Sequence, residues 1–387
     1  MKKPSGALFW PLGGLLKLYA FGKGQRIIHK DPITGPAITL SNHTSFYDFI
    51  YTTTALYPKR MNYLAAHKMF FDPLLGPFLR LSRAIPKALL QPDAVATIKA
   101  LRVLKNKGIL SIFPEGQISP SGRFMKPTFS VAKLIKKAKV DVFIVKHQFP
   151  YLVNPPWTKK TFRGRMDTQV VKLFDRNDIP NLSEQEIYES VYKALYHSPY
   201  EDNLLKQYTY KLNDIQGLEH VLTECPTCHK TGLVSQKHQL NCPHCQAIFK
   251  YDAYGRIDNQ GVDVYYEAQR QRLIQTVLAN PNYTLESPVR LEGYRNKRVQ
   301  TIGEGHLTLS KDGYHFVGKV FNEDKTYHFD VKDVPTCPSD IGRNIQIYEG
   351  YELYQFVFEN PYLPTQFVLL GEVLHDLYVN KQLGGNQ

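Results

Sequence analysis

An apolar run, Ala37-Ile38-Thr39-Leu40, leads straight into Ser41-Asn42-His43-Thr44-Ser45-Phe46-Tyr47-Asp48, and this junction limits the fold more than any other stretch. The run suits a buried strand. Ser-Asn-His-Thr-Ser supplies turn and cap candidates, and Phe46 to Leu56 reads as a helix. On one regular helix, residues five apart point roughly 140° away from each other. His43 and Asp48 can therefore pair only if the histidine lies in the turn and the aspartate in the first helical turn. A neutral imidazole takes a proton from a hydroxyl near neutral pH. A carboxylate on its other ring nitrogen fixes the tautomer and stabilises the charged form. The junction asks for a strand-to-helix fold with a base at the strand's carboxyl end.

Residues 22 to 150 continue the alternation that marks α/β organisation. Met61 to Ala66 reads as a strand, and Asp72 to Arg83 as a helical stretch broken at Gly76-Pro77. Pro92 to Lys107 is expected as a helix with Pro92 in its first turn, a stripe of Val95, Ile98, Leu101 and Leu104, and Gly108 as its stop. Ile109 to Phe113 is a buried strand that opens into Pro114-Glu115-Gly116. Glu115 thus lies at a strand's carboxyl end, where open α/β sheets bind ligands, and Gly116 lets the backbone come close. Thr128 to Lys139 is an amphipathic helix, and Val140 to Val145 another strand. Ser183-Glu184-Gln185-Glu186 is a capping box that opens a helix to about His197, and a further helical pattern runs from Asp202 to Leu222.

The blocks Asn-His-Thr-Ser-Phe-Tyr-Asp at 42–48 and Phe-Pro-Glu-Gly at 113–116, in this order and at this separation, resemble those of the 1-acylglycerol-3-phosphate acyltransferases, within the lysophospholipid acyltransferase family. The resemblance covers residues 30 to 150 and more loosely reaches 200. It implies acyl transfer from a thioester, acyl-CoA or acyl-carrier protein, to a hydroxyl of a lysophospholipid, foremost 1-acyl-sn-glycerol-3-phosphate. His43 is then the general base and Asp48 its orienting carboxylate. Asn42, Thr44 and Ser45 shape the turn, with Asn42 and Ser45 in the substrate site, and amides at the start of the helix are expected to help stabilise the oxyanion. Glu115 and Gly116 are expected at the glycerol phosphate end of the acceptor.

The chain departs from the family pattern in three places. Gln117-Ile118-Ser119 stands where the family has Thr-Arg-Ser, so a phosphate-binding arginine is replaced by Ile118. Arg123 and Lys126 follow closely and are expected to compensate. In Ala84-Ile85-Pro86-Lys87 a lysine takes the place of a common arginine and offers phosphate a point charge instead of a fork. Val140-Asp141-Val142 lacks the usual Val-Pro.

Four of the five cysteines fall as Cys225-x2-Cys228 and Cys242-x2-Cys245. Thiolates at this spacing fit a tetrahedral Zn2+ ribbon, structural in most such sites, and indicate a reducing compartment. His229 and His244 are alternative ligands. Ribbons also bind nucleic acid or protein, so the competing reading is a zinc-ribbon binding module on an inactive acyltransferase-like domain. The intact His43, Asp48 and Glu115 speak against it, and nucleic acid is not the expected partner. Gly261 to Asn280 is helical. From Leu285 short alternating strands appear, among them Val289–Tyr294, Gly305–Leu309 and Tyr314–Phe321, before a helix from Pro364 to Tyr378. This pattern resembles a PH-like or GRAM-like domain.

The fold expected is an α/β glycerolipid acyltransferase-type mixed sheet flanked by helices, plus a small zinc ribbon and a C-terminal β-rich PH/GRAM-like domain. Its parts are an acyltransferase domain with an N-terminal interfacial helix (1–200), a helical linker (201–222), the ribbon (223–250), a second helical linker (251–283) and the β-rich domain (284–387). Lys plus Arg number 48 against 35 Asp plus Glu, and a net charge of +13 suits an anionic membrane surface or nucleic acid. The apolar run Ala7 to Phe21 is only 15 residues long and holds Pro11, Gly13, Gly14 and Lys17, short of the roughly 20 a spanning helix needs. No cleavage signature follows it, so secretion is not expected. It is read either as a core helix or as an interfacial one with Leu8, Phe9, Leu12, Leu15, Leu16 and Tyr19 facing lipid. The location implied is peripheral or monotopic, on the cytoplasmic face of a membrane.

Overall fold

The apolar runs of the first half become strands of one sheet. The computed structural model describes residues 2–73, 75–296 and 298–384, without the side chains of 381–384. It comprises two units, Met1–Leu212 with Ala253–Gly255, and Asn213–Asp252 with Arg256–Gln387.

The first unit begins with α1 (Gly6–Lys23), β1 (Gln25–Lys30), β2 (Ala37–Ser41) and α2 (Asp48–Leu56). β3 (Met61–Ala66), α3 (Leu75–Leu81), β4 (Ile85–Lys87), α4 (Ala94–Lys105) and β5 (Ile109–Ile112) follow. Then come α5 (Ser130–Ala138), β6 (Asp141–Gln148), α6 (Pro150–Val153), β7 (Met166–Phe174), α7 (Glu184–Leu195) and α8 (Pro199–Lys206). The strands form a seven-stranded sheet in the order β1-β7-β6-β2-β5-β3-β4. β2 lies in its middle, parallel to both β5 and β6, and only the β6–β7 pair is antiparallel. Leu40 is opposite Ile112 and Ile144. The His43 turn and the Phe113 loop therefore leave adjacent strands at the same edge of the sheet.

Alternation along these strands feeds two apolar layers. Ile38, Leu40, Ile112, Val142 and Ile144 face α4, α5 and α7, whereas Ala37, Phe143 and Val145 join Ala55 and Leu56 of α2 on the other side. In α4 the buried stripe is Ala96, Ala100, Val103 and Leu104, and Val95 and Ile98 are exposed. Of the expected stripe Leu104 is buried and Leu101 half-buried, while the small Ala96 and Ala100 take the buried places expected of Val95 and Ile98. Asp93 caps α4 by accepting the Ala96 N–H, so Pro92 lies before the cap. Gly76-Pro77 do not break a helix but fall in the first turn of α3. The capping box at Ser183 and Glu186 is formed as expected. The helix expected from Asp202 to Leu222 ends at Lys206, where Gln207 turns left-handed at φ +53°.

α1 is not a core helix, and of the six residues expected to face outward Leu15 and Tyr19 are exposed. Leu8, Phe9, Leu12 and Leu16 are half-buried, while Trp10, Leu15, Leu18, Tyr19 and Phe21 are exposed. Gly13 lets it seat on Tyr57, whose ring a Cβ would meet at 2.8 Å. No helix among the described residues is long and apolar enough to cross a membrane.

The second unit starts with a three-stranded ribbon, β8 (Val234–Gln236), β9 (Gln239–Asn241) and β10 (Ile248–Lys250), then β11 (Arg256–Ile257), β12 (Gln260–Gly261) and α9 (Val262–Ala279). An antiparallel sheet follows: β13 (Leu285–Arg295), β14 (Arg298–Ser310), β15 (Gly313–Val320), β16 (Glu323–Asp330), β17 (Ser339–Asp340), β18 (Asn344–Glu349) and β19 (Glu352–Phe358). Its order is β16-β15-β14-β13-β19-β18-β17, so β13 joins a four-stranded run to a three-stranded one. Helix α10 (Leu363–Gly384) closes the core with Phe367, Leu370, Val373 and Leu374. Burial of such a side chain stabilises by about 1.5–3 kcal/mol. Gly371 is required there, because a Cβ would lie 1.9 Å from the Tyr314 oxygen.

Candidate active site

The five-residue spacing of His43 and Asp48 closes as a pair. His43 Nδ1 lies 3.0 Å from Asp48 Oδ2, with the histidine in the turn after β2 and the aspartate opening α2. The same oxygen accepts the N–H groups of Thr44 (2.7 Å) and Ser45 (2.8 Å). These two amides of the turn before α2 are thus bound to the aspartate. Asp48 is fully buried, and the His43 side chain keeps 20% of its surface exposed. With Nδ1 bound, Nε2 has no hydrogen-bond partner among the described residues and is the nitrogen open to a substrate.

The second block meets the first through one loop. The Phe113 ring stacks on the imidazole at 4.4 Å between centroids. Glu115 Oε1 accepts the His43 N–H at 2.5 Å, Glu115 Oε2 accepts the Met125 N–H at 2.9 Å, and the Ser119 N–H donates to the His43 carbonyl at 3.0 Å. Glu115 is buried; burial pushes its carboxyl well above the ordinary carboxylate range, against the pull of the two backbone N–H bonds. Gly116 turns the loop at φ +76°, where a Cβ would come within 3.2 Å of Leu90. Ser45 Oγ accepts the Tyr47 N–H.

Asn42 extends the β2–β6 pairing with its side chain. Its amide donates to the His147 carbonyl and accepts the His147 N–H, both at 2.8 Å. His147 is buried between Thr52 Oγ1 (2.8 Å) and Thr168 Oγ1 (3.1 Å), and burial lowers its pKa to about 4. It is a neutral imidazole that fixes α2 to the sheet.

The expected phosphate contacts are placed less directly. Lys87 Nζ donates to the carbonyls of Ala88 and Gln91, and burial lowers its pKa. Arg123 donates to Tyr196 Oη and Glu201, both at 2.8 Å. Lys126 is exposed. The sequence reading passed over Phe113 and Ser119 as contacts of His43, and over His147. It also passed over a second His-x4-Asp spacing, whose Nδ1 (His197) lies 2.6 Å from Asp202 Oδ2.

In the second unit, Cys225, Cys228, Cys242 and Cys245 bring their sulfurs within 4.8 Å of one another. The closest pairs, Cys225–Cys245 and Cys228–Cys242, are each 3.6 Å apart. A Zn–S bond of about 2.3 Å gives tetrahedral S···S edges of about 3.8 Å, so the set fits zinc. The two knuckles are built alike. His229 N–H returns to Cys225 O and Gln246 N–H to Cys242 O, and both residues are left-handed, at φ +60° and +61°. The four thiols complete the set without His229 or His244; His244 Nε2 lies 3.1 Å from the Thr231 carbonyl.

Residues 23–147 match the family model described as Acyltransferase. No curated protein matches the chain at a significant level. A similar solved chain is the 1-acyl-sn-glycerophosphate (LPA) acyltransferase PlsC from Thermotoga maritima. It is 19% identical, with a TM-score of 0.43 over 52% of this chain and 79% of that one. The stretch that holds both the His43 turn and the Phe113 loop, residues 23–147, is thus the part of the chain that is similar to the acyltransferase family.

Proposed function

We propose that the protein transfers an acyl group from an acyl thioester to the free hydroxyl of a lysophospholipid, most directly 1-acyl-sn-glycerol-3-phosphate to phosphatidic acid. The observation that carries this reading is the His43–Asp48 pair at the sheet edge with Nε2 open and the imidazole held by the Phe113 loop. Nε2 takes the hydroxyl proton as the oxygen attacks the thioester carbonyl. Asp48 stabilises the imidazolium, which returns the proton to the departing thiolate as the tetrahedral intermediate collapses. The family match supports the acyl chemistry, and the basic residues support an anionic acceptor. Arg123 and Glu201 are a largely exposed pair of the kind worth at most about 1 kcal/mol, so an acceptor phosphate can take the guanidinium, with Lys126 beside it in sequence.

The exposed face of α1, with Trp10, Leu15, Leu18 and Phe21, supports docking on an anionic membrane at its cytoplasmic side. The cysteine set supports a structural Zn2+, which would fasten the two knuckles of the ribbon. The test of the reaction is labelled acyl-CoA with a panel of lysophospholipids and the full-length protein. Labelled phosphatidic acid from lysophosphatidate is expected, and its loss in His43→Ala. No transfer to any member of the panel, or transfer that survives His43→Ala, contradicts the reading.

A further inference from the structure

Glu115 was expected at the acceptor's glycerol phosphate end, but its surroundings give it another task. The side chain is 3% exposed. Each oxygen accepts a backbone N–H, from His43 on one side and Met125 on the other, and burial closes the group off from solvent. The same loop reaches the other side of the His43 backbone through the Ser119 N–H and the face of its ring through Phe113. Met125, near the far end of the loop, is fastened by the same carboxylate. The Ser119 hydroxyl adds a brace by donating to the Arg123 carbonyl and accepting the Gly122 N–H.

We propose that Glu115 is a positioning residue, a buried clamp that fixes the main chain of His43 to both ends of the 113–125 loop, and not a ligand of the substrate. This rests on the reading of His43 as the base. The clamp requires two acceptor oxygens on a side chain of this length. Glutamine has one acceptor oxygen, so its NH2 would face one of the two N–H donors. Aspartate is one methylene shorter and cannot span from His43 to Met125. A displacement of about 1 Å at the base costs up to about 100-fold in turnover. Loss of a substrate ligand would instead weaken acceptor binding.

The test compares Glu115→Gln and Glu115→Asp with the unsubstituted full-length protein in steady-state transfer from acyl-CoA to lysophosphatidate. The clamp predicts kcat down by about 10- to 100-fold, with KM for the acceptor within about threefold. It also predicts a changed rate of carbethoxylation of His43 by diethyl pyrocarbonate in both variants, mapped by mass spectrometry. A KM raised tenfold or more with kcat retained overturns the clamp and restores Glu115 as a ligand. Should both variants fail to fold, hydrogen exchange of the His43 amide in the unsubstituted protein decides. Protection equal to that of β2 sustains the clamp, and free exchange overturns it. Because His43→Ala separately tests the base, failure of the clamp leaves the reaction standing, and failure of the base shows in His43→Ala alone.

Discussion

The first unit holds two histidine–aspartate pairs with the same spacing, His43–Asp48 and His197–Asp202, and their burial is opposite. In the first the aspartate is fully buried and the histidine is 20% exposed; in the second the histidine is fully buried and the aspartate is 30% exposed. Both place the histidine before a helix and the aspartate in its first turn. His43 turns its free nitrogen outward at the carboxyl edge of the sheet. The Nε2 of His197 faces the Phe149 N–H at 3.5 Å, and its carbonyl accepts the Phe124 N–H. One spacing thus makes a base in one place and a fastener for the end of the Phe113 loop in the other. What separates them is which partner the fold leaves accessible.

The largest effect that would sharpen this contrast is on turnover. Asp48→Asn should lower kcat by about 1,000-fold, because the imidazolium loses its charge partner and the tautomer its anchor. Asp202→Asn should leave kcat within about twofold. Equal losses in the labelled transfer assay would break the contrast.

Stability should respond the other way. His197→Ala removes a buried ring and its bond to Asp202, and urea unfolding should show a loss of about 2–3 kcal/mol. His43→Ala, at a partly exposed position, should change stability by less than about 1 kcal/mol.

His147 adds a pH signature, being a third histidine with no carboxylate partner. Its folded pKa is lowered by burial from 6.5 to about 4. The sign follows from proton uptake: between these values the unfolded chain binds the proton and the folded one does not. Its share of stability is therefore complete above pH 6.5 and is lost as the pH falls towards and through 4. The 2.5-unit shift corresponds to about 3 kcal/mol. Denaturation measured from pH 7 to 4 should steepen by this amount in the parent protein and flatten in His147→Gln. An unchanged slope in the variant would remove this role.

The smallest effect on the contrast should come from metal removal. Chelation or Cys228→Ser should unfold the ribbon in the second unit, seen as earlier thermal loss of that unit. The turnover difference between the two His–Asp pairs should shift by less than about twofold, since both lie in the first unit.

Much of this was legible in the residues. The His43 turn, the β2 and β5 junctions and the cysteine knuckles each rest on local chemistry, so periodicity and spacing sufficed to place them. The stripe on α4 was legible at Leu104 but not in its first turns, because long-range packing, not apolarity, chose Ala96 and Ala100 over Val95 and Ile98. The exposed face of α1 was legible only at Leu15 and Tyr19 for a related reason, as its seat on Tyr57 sets its rotation. The contacts of Glu115 and Ser119 with the His43 backbone link residues more than 70 apart and leave no mark in local sequence. His197-x4-Asp202 did carry a signal, the repeated spacing, but its burial could not be read from it.

The most direct measurement sets His43→Ala beside His197→Ala in the same acyl-transfer assay, with rates expressed per folded molecule. Loss of turnover by about 1,000-fold or more in His43→Ala, with His197→Ala within about threefold of the parent, is the predicted result. Comparable turnover in the two variants would contradict the assignment of His43 as the base.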